Sequence, residues 1–78
     1  MRRKSVSARD FLGALLKLGF VEKRPSKGSH MLLQHSDSGL VVTIPTSRSE
    51  IPPTILYAIE RQMENFRIIT REKFEEML

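Results

Sequence analysis

Phe20-Val21-Glu22-Lys23-Arg24-Pro25-Ser26-Lys27-Gly28-Ser29-His30-Met31-Leu32-Leu33-Gln34-His35-Ser36-Asp37-Ser38-Gly39-Leu40-Val41-Val42-Thr43-Ile44 decides the fold. Two short segments, Pro25-Ser26-Lys27-Gly28 and Ser36-Asp37-Ser38-Gly39, divide this run, each four residues long and ending in glycine. Proline presets one backbone angle, and glycine enters the left-handed region at little steric cost. Four-residue hairpin loops are a common class, so strands over Phe20 to Arg24, His30 to His35 and Leu40 to Ile44 follow as an antiparallel meander.

With loops that short, Arg24 faces Ser29, Lys23 faces His30, Val21 faces Leu32 and Phe20 faces Leu33. Across the second loop His35 faces Leu40, Leu33 faces Val42 and Met31 faces Ile44. Side chains alternate between the faces of a sheet. One face therefore carries Phe20, Met31, Leu33, Val42 and Ile44 and meets the helices. The other carries Lys23, His30, Leu32, Gln34, Val41 and Thr43. His30 and His35 point to opposite faces, so they cannot act as an acid–base pair. A slip of one residue would exchange the faces.

Helices flank the meander. Ser7-Ala8-Arg9-Asp10 has an N-cap serine and an acid in the first turn. Ala8, Phe11, Leu12, Leu15 and Leu16 recur at helical spacing, and Gly19 suits the end. Gly13 lies inside this helix, where it costs about 1 kcal/mol relative to alanine. Pro52-Pro53 opens a second helix with Ile55, Leu56, Ile59, Met63 and Phe66 as its buried stripe. Thr70 caps a short last helix, Arg71 to Leu78, from which Phe74 and Met77 pack back or meet a partner. Glu72, Glu75 and Glu76 read as its solvated face. Residues 1–6 are polar and basic and read as a flexible arm.

Seventy-eight residues make a single domain over 1–78 with one modest core. The chain has no cysteine, which removes disulfides and thiolate metal sites. Two histidines without a carboxylate cluster speak against a metal centre, and no cofactor is expected. The net charge of +4 is uneven: residues 1–48 carry nine Lys/Arg against three acids, and residues 49–78 four against six. That asymmetry favours a polyanion on the sheet side, because phosphate is what a cationic face neutralises. Met1-Arg2-Arg3-Lys4 is followed by no apolar signal core, and no stretch is long enough to span a bilayer. A cytoplasmic location follows as the expectation.

His30 opens the middle strand beside the basic Lys27 loop, where an imidazole can exchange a proton near neutral pH and a phosphate is attracted. Lys23, Arg24 and Lys27 are candidate phosphate-binding residues, although ordinary surface charge would use the same side chains. Gly28 and Ser29 are turn residues; Ser29 has no base–orienter pair that would make it a nucleophile. Leu32 and Val41 on the solvent face suit a partner surface, with another protein or a homo-oligomer as the occupant.

The helix ending Leu16-Lys17-Leu18-Gly19-Phe20, Gly28-Ser29-His30-Met31, the strand closing Val42-Thr43-Ile44-Pro45, and Ile51-Pro52-Pro53-Thr54-Ile55-Leu56 together resemble the HicA toxin family, over about residues 7 to 66. The resemblance implies an α+β, double-stranded-RNA-binding-domain-like fold, α-β-β-β-α, here with a short extra C-terminal helix. It implies an mRNA-cleaving endoribonuclease toxin (an mRNA interferase) neutralised by a HicB-like antitoxin, with His30 catalytic. Many members carry a basic or histidine residue just after the strand-ending proline; this chain has Thr46-Ser47, so that help in binding RNA is not carried over. Two other functions remain open on the residues: RNA binding without catalysis, and a protein-docking module.

Overall fold

In the computed structural model, residues 6–24, 30–45 and 49–78 are described. Ser7 ends a two-residue strand, β1 (Val6–Ser7), and caps α1 (Ala8–Lys17): its side-chain oxygen accepts the Asp10 backbone N–H at 3.1 Å. Asp10 in the first turn and Lys17 in the last complement the helix dipole. The chain then reverses through Gly19, whose φ of +100° is a conformation glycine adopts without strain.

The meander follows as β2 (Phe20–Arg24), β3 (His30–His35) and β4 (Val41–Pro45), an antiparallel sheet in the order β2-β3-β4. A short β5 (Glu50–Ile51) pairs back with β1, Val6 opposite Ile51 and Ser7 opposite Glu50. Val6 was expected in a free arm. It is instead half-buried in this ladder, which the Ala8 N–H extends by donating to the Ser49 carbonyl at 2.9 Å. α2 (Pro53–Asn65) starts on Pro52-Pro53, where a missing N–H is no loss, and α3 (Arg71–Glu76) is capped by the Thr70 side chain.

One core joins the layers. Phe20, Leu33, Val42 and Ile44 from the sheet pack in it with Phe11 and Leu15 of α1, Leu56, Ile59 and Met63 of α2, and Phe74 of α3. Phe74 is fully buried and meets Phe11 edge to face, ring centres 5.7 Å apart. The opposite sheet face is exposed: Val21 is 49% and Val41 44% accessible. The α+β expectation, with a three-stranded antiparallel sheet and helices on one face, is met.

Two stripe assignments change. Leu16 is 49% exposed while Ala14 is buried; at 100° per residue Leu16 lies about 140° round from Phe11, off the stripe's edge. In α2 the buried position one turn after Leu56 is Glu60, not an apolar residue, and Phe66 stands 48% exposed. Glu60 Oε1 lies 3.6 Å from Arg71 Nε, and Glu64 Oε2 accepts the Arg71 backbone N–H at 2.7 Å, so two α2 carboxylates anchor the start of α3.

Candidate functional site

β3 begins at His30 and ends at His35, and five residues of alternation turn the two imidazoles to opposite faces. His35 is buried. Its Nδ1 accepts the Ser38 backbone N–H at 3.1 Å, and its Nε2 lies 3.0 Å from the Leu18 carbonyl oxygen. An N–H aimed at Nδ1 requires a lone pair there, and a carbonyl facing Nε2 requires a proton there, so the ring sits with its proton on Nε2. The Ser38 hydroxyl donates to the same Nδ1 at 2.9 Å and accepts the Leu40 N–H at 3.2 Å. With the Phe20 ring 5.0 Å away, His35 ties the end of α1 to the β3–β4 turn. Both of its nitrogens are occupied by the fold.

His30 is exposed and pairs with Pro45 of β4. The β3–β4 register is the expected one, Met31 opposite Ile44 and Leu33 opposite Val42. The β2–β3 register is not. Phe20 lies opposite His35, Val21 opposite Gln34 and Glu22 opposite Leu33, two residues away from the expected pairing. A bulge then intervenes between Glu22 and Arg24, and Arg24 lies opposite Leu32. His35 accounts for the shift: its burial against Phe20 and its bonds to Leu18 and Ser38 pin the start of β2. A slip of two preserves the faces where a slip of one would have exchanged them.

Lys23 is therefore not the cross-strand neighbour of His30. It is the extra residue of the bulge, exposed, and lines a depression of about 260 Å³ with Val21, Gln34 and Ser36 toward the other end of the sheet. Among the described residues Arg24 is the basic residue nearest in register, one row from His30, about 7 Å along the strand at 3.3–3.4 Å per residue. Lys27, Gly28 and Ser29 lie outside the described residues, as do Thr46 and Ser47. The helix-free face thus carries His30, Leu32, Gln34, Val41 and Thr43, with Val21 as an apolar member the sequence reading left out. Among the described residues no three His, Asp or Glu side chains come together as a metal-ligand set. Among them, too, no helix is long and apolar enough to cross a membrane.

Residues 8–64 match the family model described as HicA toxin of bacterial toxin–antitoxin. The chain belongs to the HicA toxin family. The match runs from the first residue of α1 almost to the end of α2, so the HicA-like part holds the meander and both histidines, while β1 and α3 lie outside it. No curated protein and no solved structure matches the chain. As a HicA family member it is a toxin of a toxin–antitoxin system.

Proposed function

We propose that this toxin cleaves mRNA with His30 as its general base and that a HicB-like antitoxin silences it by covering the helix-free sheet face. The observation that carries the reading is the division between the histidines: His35 is consumed inside the fold, and His30 stands exposed at the mouth of β3. RNA supplies its own nucleophile. His30 removes the proton from a 2′-hydroxyl, the 2′-oxygen bonds to the adjacent phosphorus, and the bond to the 5′-oxygen breaks. The leaving oxygen takes a proton, leaving a 2′,3′-cyclic phosphate and a 5′-hydroxyl. The step needs no bound metal. Since His35 is engaged elsewhere, the protonated His30 is the group at hand to return that proton. Arg24, Lys23 and Lys27 supply positive charge for the phosphates.

The same face suits such a partner. Val21 and Val41, with the half-buried Leu32, give it apolar area beside the cations, which an acidic, partly apolar antitoxin surface complements. The test is cleavage of single-stranded RNA by the purified toxin, with and without a 2′-deoxy substitution at the cut site. The expected result is cyclic-phosphate ends and no cutting at the deoxy position. Salt-dependent binding without cutting would select the non-catalytic RNA-binding reading instead.

A further inference from the structure

Phe66 and Arg67 end α2 in an arrangement that core packing does not explain. Phe66 is the C-cap, yet the residue is 48% exposed. Arg67 follows with φ +59°, the one non-glycine residue with positive φ among the described residues. The Ile68 N–H closes the helix onto the Met63 carbonyl at 2.9 Å, which makes Arg67 the left-handed residue that glycine normally supplies. An arginine there carries backbone strain that glycine would not, and such strain gathers at functional sites.

The pair forms one side of a cleft of about 380 Å³ between the end of α2 and the β3–β4 turn, whose Asp37 and Ser38 form the other side. Leu18 and His35 also line it. That volume is within the range of small-ligand sites. The mixture of groups selects the ligand. The Asp37 carboxylate repels a phosphate inside the cleft, but it can accept from the exocyclic amino group of a base. An exposed aromatic ring offers any base a stacking surface. Arg67, at the rim, can take the phosphate that joins such a nucleotide to the next. His35 borders this cleft and also the depression holding Lys23, so the two hollows lie at the same end of the sheet. His30 stands about 17 Å from that end, at 3.3–3.4 Å per strand residue.

We propose that this cleft is a subsite for an unpaired nucleobase of the RNA, stacked on Phe66, with the adjoining phosphate held by Arg67. The inference rests on the reading that the toxin binds RNA. The experiment uses the His30→Ala chain, so that the probe is not consumed, and measures binding of a short fluorescein-labelled single-stranded RNA and of its duplex by anisotropy. Phe66→Ala in that background should weaken single-strand binding at least about fivefold, the low end of what stacking one base contributes. It should leave duplex binding within twofold, and Phe66→Tyr should restore the affinity. Arg67→Gly, which keeps the backbone turn, should lower the salt dependence by about one single-strand phosphate, a slope change of about 0.7. Unchanged single-strand affinity in Phe66→Ala, or an equal loss on both probes, overturns the subsite while leaving the RNA reading standing. Failure of the His30→Ala parent to bind either probe overturns the RNA reading and the subsite with it.

Discussion

Replacing His35 tests whether the second histidine belongs to the fold or to the chemistry. In His35→Ala the Leu18 carbonyl loses its partner at 3.0 Å and the Ser38 N–H its partner at 3.1 Å, while the Phe20 ring loses its neighbour at 5.0 Å. Two hydrogen bonds at roughly 1 kcal/mol each, with about 1 kcal/mol for the lost buried ring, give a cost of about 3 kcal/mol. A 78-residue chain is stable by only ~4–12 kcal/mol at about 0.05–0.15 kcal/mol per residue. The melting temperature should then fall by about 12–24 °C, at 4–8 °C per kcal/mol for this size. Urea titration followed by circular dichroism measures the loss directly. His35→Phe refills the apolar volume but pairs neither Leu18 nor Ser38, so it should remain about 2 kcal/mol below wild type. At saturating RNA, and at a temperature where His35→Ala is still folded, its single-turnover cleavage rate should equal the wild type's, because the ring takes no part in the chemical step. A loss below about 0.5 kcal/mol, or full stability in His35→Phe, would refute the reasoning.

Gly13 is half-buried in α1, and a Cβ built there meets nothing within 4 Å. Gly13→Ala should therefore stabilise the fold by about 0.5–1 kcal/mol, read as a higher urea midpoint at unchanged slope. Phe74 is fully buried against Phe11 in the part of the chain outside the family match, so Phe74→Ala should cost about 3–5 kcal/mol in the same assay. A cost below 1 kcal/mol would mean that α3 is not integral to the core.

The sequence made the second hairpin legible to the residue and the first only in outline, and the difference is physical. Gly39 adopts φ +82°, and a four-residue loop lets the Gly39 N–H return to the His35 carbonyl while the His35 N–H meets Leu40. Composition is enough to specify that closure. In the first hairpin the register is set from the far end, by a histidine whose partners, Leu18 and Ser38, are 17 and 3 residues away. Nothing local announces such a pin. The sheet's core face survived because the slip was even, and the one odd residue was taken up at Lys23. The site reading depended on the register itself, so Lys23 left His30 while His30 kept its exposed face. Glu60 was hidden for a similar reason: an apolar stripe cannot reveal a buried carboxylate whose partner, Arg71, comes from the next helix. The β1–β5 ladder was hidden because two-residue strands leave no periodic pattern.

The central claim is that His30 carries out RNA cleavage, and single-turnover cleavage by His30→Ala against wild type tests it most directly. His30 is exposed, so the substitution should leave the urea midpoint close to wild type. The rate should fall about 10²–10⁴-fold, the usual contribution of a general acid–base group, and growth arrest should be lost with it. A folded His30→Ala chain that cuts RNA at the wild-type rate would contradict the account.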